Sequence, residues 1–279
     1  MPGSRRLRAT LVALFLLGAG AAASRAVSVS PMSLFLDHRS RTTSMTLYNP
    51  NPQPEEVEIS FAYGYPQSDS TGAVSVPLAE VAPEGEPAAT PWLRAFPRRL
   101  VLQPGQQQVV RVFAQPPADL ADGEYWSRVL VTATGGRPPV EQQVNPDVRV
   151  ALTMRTIVVG SLNYRKGSLS TRAVVAAADA LATDAGVQLT LDLERGGSAA
   201  WLGRVRLRLE AADGRLLAEQ EDVLSIYRTL RRRFEFPLDD PAAARGARVR
   251  YVLETERPEL GAAHLIQAPS VEGVVSVRP

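Results

Sequence analysis

Cysteine is absent from the 279 residues. That single absence excludes disulfide scaffolds, cysteine-ligated zinc, iron–sulfur clusters and thiol nucleophiles. Histidine is nearly absent too, with only His38 and His264, far apart in sequence. A multi-histidine metal site or a Ser–His relay has almost nothing to be built from. Lysine occurs once, as Lys166. A charge excess is also lacking: 31 basic and 29 acidic side chains leave a formal net charge of +2. No block of five or six like charges occurs, so nucleic-acid binding gains little support. Asp37 and the pair Asp239-Asp240 lack the ligand spacing of a calcium or magnesium site. Gly135-Gly136 runs into Arg137-Pro138-Pro139 rather than a helix, so it is no phosphate loop. No cofactor, no metal and no enzymatic activity are expected.

What is present begins with residues 1–26. Arg5, Arg6 and Arg8 give a positive start, followed by an uncharged apolar run over residues 11–23. That run is too short to span a bilayer comfortably, which takes about 20 apolar residues, so no stable membrane insertion is expected. Ala21-Ala22-Ala23 and Ser24-Arg25-Ala26 both offer the small-x-small pattern of a cleavage site. The segment reads as a general secretory signal, cleaved after Ala23 or Ala26. About 250 residues remain, enough for two domains of ordinary size or one large one.

The remainder alternates with a period of two. Glu56-Val57-Glu58-Ile59-Ser60-Phe61 is strict, and Gln108-Val109-Val110-Arg111-Val112-Phe113 repeats the pattern. This is the signature of strands with one wet face. Turn formers punctuate the runs, among them Asn49-Pro50-Asn51-Pro52, Gln103-Pro104-Gly105 and Asp213-Gly214. Residues 71–91 read as a long loop. The fold class is therefore all-β, two antiparallel β-sandwiches in tandem. The spacing predicts a signal segment over 1–26, a first sandwich over 27–159 and a second over 160–279, with a hinge at 160–167. Helix competes with strand only over the alanine-rich residues 173–182.

Three segments carry a resemblance. They are Ala26-Val27-Ser28-Val29-Ser30-Pro31, the run from Phe96-Pro97 through Gln103-Pro104-Gly105 to Val110-Arg111-Val112, and Gly123-Glu124-Tyr125-Trp126-Ser127-Arg128-Val129. In this order they resemble the N-terminal domain of PapD-like periplasmic pilus and fimbrial assembly chaperones. The similarity covers about residues 26–159. It implies that the two sandwiches are immunoglobulin-like domains in tandem, and that the protein is a periplasmic, non-enzymatic chaperone whose partners are pilus or surface-protein subunits, with an outer-membrane usher as a further partner. It also implies a mechanism in which the chaperone lends a strand to a subunit that lacks one.

The resemblance assigns roles to particular residues. Val148, Val150, Leu152 and Met154 match the donor strand, whose apolar side chains would fill the subunit's groove. Facing the chaperone's own core is the ordinary alternative for these four. Arg111 and Glu124 match members of an ionic cluster that braces the two domains. The family holds the subunit's terminal carboxylate with an arginine in the first strand and a lysine in the donor strand. Here Ser33 stands at the arginine's place and Thr156 at the lysine's; Arg155, Arg39 and Arg41 are the candidate substitutes, with Arg155 put forward as the anchor. That departure keeps a second reading open: an exported two-domain structural or adhesive module without chaperone activity.

Overall fold

A computed structural model describes residues 26–135 and 155–279, and the backbone alone of 142–145 and 148–150. Residues 1–25 of the expected signal segment lie outside the described residues. The chain is built almost wholly from strands, in two β-sandwiches.

The first contains β1 (Ser28–Ser30), β2 (Ser33–Asp37), β3 (Thr42–Tyr48), β4 (Glu55–Ala62), the short hairpin β5 (Gln67–Ser68) and β6 (Val74–Ser75), β7 (Leu93–Phe96), β8 (Arg99–Leu102), β9 (Gln107–Ala114) and β10 (Gly123–Gly135). After them come β11 (Gln142–Asn145), β12 (Val148–Val150) and the long β13 (Arg155–Lys166). One sheet has the order β1-β3-β9-β7 and the other β2-β13-β10-β4-β8. This is the immunoglobulin arrangement, with the first strand divided between the two sheets. The division falls at Pro31, which has no N–H to give a ladder. β1 pairs antiparallel with β3, and β2 pairs parallel with β13.

The strict alternation of β4 and β9 sets their faces. Val57, Ile59, Val110 and Val112 are buried, while Val109 and Arg111 are exposed. Leu34, Leu36, Met45, Leu47, Leu102, Val129, Val131, Leu162 and Tyr164 complete the core between the sheets.

The second sandwich contains β14 (Thr171–Thr183), β15 (Gly186–Gly197), β16 (Trp201–Glu210), β17 (Leu216–Ile226), β18 (Thr229–Pro237), β19 (Arg248–Glu254) and β20 (Val271–Arg278). Its strands run in one sheet of order β17-β16-β19-β20-β14-β15-β18, joined by a short parallel pairing of β20 with β14, around a core that includes Leu189, Leu191, Phe234, Leu207, Leu209, Val249 and Leu253. The expected hairpin at Asp213-Gly214 joins β16 to β17, with Gly214 at φ 86°. The alanine-rich stretch is strand, not helix. Ala173 and Ala180 sit in the core, and β14 pairs with β15 from Thr171 to Thr183 apart from a bulge at Ala176, so packing overrides alanine's local preference.

The hinge expected at 160–167 is not a hinge over most of its length. β13 continues through it, paired with β10 as far as Gly123↔Lys166. The chain leaves the first sheet after Lys166 and enters the second at Thr171.

Candidate functional site

Two features stand out: an unpaired strand edge on the first sandwich and a polar seam between the sandwiches. The edge belongs to β13. On one side β10 pairs with all of it, from Arg155 to Lys166. On the other side β2 covers only Ser161 to Arg165. Residues 155–160 pair with no strand on that side among the described residues. An open edge of this kind is a template for another strand. Ile157, 47% exposed, and Arg155 stand beside this edge on the outer face. Arg155 also lines a shallow groove of about 590 Å³ with Glu56, Glu58, Arg99, Val101 and Thr132. Val148 and Val150, two of the expected donors, lie in β12, which pairs back on β11. Leu152 and Met154 lie outside the described residues.

Arg155 adjoins Thr156, where the resemblance puts the lysine, but is distant from Ser33, where it puts the arginine and which pairs with Ser161. Six residues of strand separate it from Ser161, roughly 20 Å at the usual strand rise. At Ser33 itself the structure has a hydroxyl pair, Ser161 Oγ donating to Ser33 Oγ at 2.9 Å.

The seam is organised by Glu124, whose side chain is fully buried. Its Oε2 accepts from Arg165 Nε at 2.7 Å. Its Oε1 accepts from Trp126 Nε1 at 3.1 Å and from the Ala200 N–H of the second sandwich at 2.9 Å. Arg165 Nη1 in turn donates to the His264 carbonyl at 2.6 Å. The guanidinium lies 4.6 Å from the centre of the Phe35 ring, on which His264 is stacked. The expected pairing of Glu124 with Arg111 is corrected by this geometry. Arg111 lies on β9, in the opposite sheet, and points outward beside Ser44 and Phe96. The partner is Arg165, directly opposite Glu124 in the β10–β13 ladder. A signal for it was present in the alternation: Leu162 and Tyr164 face the core, so Arg165 faces away from it.

Around this pair, Phe35, Tyr63 and Trp126 pack against Ala200, Leu202, Tyr227 and Leu260 of the second sandwich. Trp126 and Tyr227 meet edge to face at 4.9 Å. Tyr227 Oη donates to Asn163 Oδ1 at 3.1 Å. Burial pushes the Tyr227 hydroxyl's pKa up and outweighs the opposing Arg128 charge; the Glu124 charge adds to the rise, and hydrogen bonds to Asn163 and Arg128 work against it. Tyr63 Oη and Arg228 Nη2 both donate to Glu86, at 2.6 and 2.7 Å. Burial works against the Glu86 carboxylate, yet these two donors hold its pKa below the usual range. The β5–β6 hairpin reaches β18, where the Arg231 N–H donates to Ser68 Oγ at 2.7 Å. The seam thus fixes the two sandwiches against each other by buried, directional contacts.

No protein-family model matches the chain, and no curated protein sequence matches it. Solved structures do. The Pseudomonas aeruginosa CupB2 chaperone is 13% identical, with 90% of this chain and 100% of that one covered and a TM-score of 0.42. The Escherichia coli chaperone DraB is 14% identical, over 89% of this chain and 96% of that one, with a TM-score of 0.41. A chain of the Salmonella enterica SafA pilin–SafB chaperone complex is 14% identical, with coverages of 89% and 96% and a TM-score of 0.44.

Proposed function

We propose that this protein is a non-enzymatic periplasmic chaperone that shields incomplete β-sandwich subunits of pili or other surface structures by lending them a strand. The observation that carries this reading is the edge of β13 over residues 155–160, which no strand among the described residues covers beyond the reach of β2 at Ser161–Arg165. A subunit lacking one strand exposes apolar surface and unpaired backbone, both of which aggregate. Main-chain bonds to a borrowed edge would satisfy the backbone, and alternate apolar side chains would fill the groove. Val148, Val150, Leu152 and Met154 are the proposed fillers, because they precede the open edge in the same stretch of chain. The fixed seam serves this role by holding the second sandwich beside the lending strand. An outer-membrane usher is the proposed receiver of the loaded complex.

The experiment is a tagged pull-down from the periplasm with bound partners identified by mass spectrometry. Strand lending predicts a small β-rich protein in equal amount, lost in Leu152→Glu/Met154→Glu while the variant stays folded. Unchanged recovery with the folded double variant would remove the donor assignment. Clean protein without a partner, from cells expressing the candidate subunits, would favour the second reading, an exported structural or adhesive module. The hydroxyl pair at Ser33 and Ser161, where the resemblance implies charge, is the observation on that side.

A further inference from the structure

The chain between β4 and β7 folds back on itself, and its two sides meet different surroundings. Tyr63 and Ala79 exchange both backbone hydrogen bonds, at 2.8 and 2.9 Å. Gln67 lies opposite Ser75 and Ser68 opposite Val74, so one register runs along the whole pair. In an antiparallel pair, bonded residues turn both backbone groups inward and their neighbours turn both outward. Ser75 and Pro77 therefore share the inward direction of Ala79, while Val74, Val76 and Leu78 present N–H and C=O to the other side. The first run is anchored on the second sandwich: Ser68 Oγ accepts from the Arg231 N–H at 2.7 Å, and the Ser70 carbonyl from Arg231 Nη1 at 3.3 Å. On the outer side of residues 74–78 no strand pairs among the described residues.

This edge lacks the usual protection. A proline on an edge removes a donor, but Pro77 stands in the inward phase, so the outer row keeps its three N–H groups. Val74, Val76 and Leu78 are 41%, 37% and 43% exposed, and a period of two places them on one face. Charge of one sign frames the row. Residues 63–93 hold no lysine or arginine, in a chain with 31 of them, yet carry Asp69, Glu80, Glu84 and Glu86. Glu86 is engaged by Arg228 and Tyr63. Asp69 at one end of the row, and Glu80 and Glu84 at the other, are exposed.

We propose that the outer edge of residues 74–78 docks one extended segment of a partner protein, with alternate apolar residues and a lysine or arginine at each end. Main-chain bonds to Val74, Val76 and Leu78 hold it by strand addition, its apolar side chains cover theirs, and its cations meet the flanking carboxylates. A second copy of this chain suits the edge less well. Pairing of the edge with itself across a two-fold axis would bring Asp69 of one copy towards Glu80 and Glu84 of the other, and like charges set face to face destabilise. Strand lending from β13 is not required, since a protein that lent no strand would still offer this edge.

The probe is a fluorescent, end-blocked heptapeptide, Lys-Val-Thr-Val-Thr-Val-Lys, added to the mature full-length protein and followed by anisotropy at low ionic strength. Saturable binding that weakens with salt is expected. Methylating the interior backbone nitrogens of the peptide should weaken it about tenfold, the scale of one lost hydrogen bond. Val76→Pro, which removes an outward N–H and no charge, should do the same. Absence of saturable binding overturns the proposal, and so does binding that either change leaves intact. Glutamate in place of both lysines should abolish binding; equal affinity would overturn the charge match. Should Val76→Pro fail to fold, Glu80→Gln/Glu84→Gln is the second variant, on two exposed side chains. About threefold weaker binding is expected there, the scale of exposed ion pairs, and unaltered affinity overturns the proposal. Sedimentation over a range of concentrations tests the other occupant. A monomer that binds the peptide supports the proposal, whereas a dimer that Glu80→Gln/Glu84→Gln strengthens and the peptide fails to dissociate would give the edge to a second copy and overturn it.

Discussion

Glu124 and Arg165 face each other across the β10–β13 ladder, and the 2.7 Å ion pair between them reaches the second sandwich through Ala200 and His264. Both charges are largely withdrawn from water, the arginine side chain keeping only 15% exposure. Removing one member therefore strands the other. Glu124→Gln is expected to cost about 3–5 kcal/mol in denaturant unfolding, the range for breaking a buried pair. Arg111→Ala, on the outer face of the other sheet, is expected to change stability by less than about 0.5 kcal/mol. Equal effects of the two substitutions would contradict the pairing described here.

The open edge makes a different demand. Ile157 is half exposed beside it, so Ile157→Lys has little packing to lose and is expected to shift stability by about 0.5 kcal/mol or less. A charged side chain on an edge nevertheless obstructs strand addition. Capture of a subunit should fall at least tenfold in the same pull-down while the unfolding midpoint stays put. A variant that captured subunits normally would locate the lending strand elsewhere.

The sequence made the sandwiches legible because each strand has one wet face. Val57, Ile59, Val110 and Val112 were readable as core from alternation alone. The seam was not readable in that way. Trp126, Asn163 and Arg165 lie on the outer face of their sheet, and alternation cannot tell an outward face covered by water from one covered by a second domain. Arg165 was further hidden by two glycines, Gly160 and Gly167, which suggested a hinge around it. The glycine signal was ambiguous because glycine serves flexible joints and tight packing alike.

Gly160 is a packing glycine. A Cβ there would come within 2.8 Å of the Met32 carbonyl and 2.9 Å of Val129 Cγ1. It sits where β2 joins the edge of β13, with the Ser161 N–H donating to the Met32 carbonyl at 2.9 Å. Gly160→Ala is expected to destabilise by about 1–3 kcal/mol, in the manner of an overpacked core. A hinge glycine would instead tolerate alanine, or gain slightly from it through the unfolded chain. Equilibrium unfolding of this single variant distinguishes the two roles.

Alkaline unfolding tests the seam in another way. Burial raises the pKa of Tyr227, and burial is also the leading cause of the upward shifts of Tyr63, Tyr125, Tyr164 and Tyr251. In the unfolded chain each hydroxyl ionises near pH 10. A raised folded value means that the native state keeps its protons longer than the unfolded state. The stability these groups contribute is therefore complete below about pH 10 and is lost as pH rises through the folded values. Stability is expected to decline above about pH 10, with a slope set by the number of tyrosines still protonated in the native state. Tyr227→Phe removes one such group and with it the bond to Asn163. Its stability at pH 7 should be lower than that of the native chain, and its decline between pH 10 and 12 should be shallower. Parallel curves would show that Tyr227 ionises as readily in the seam as in water, and would place an open path for solvent between the two sandwiches.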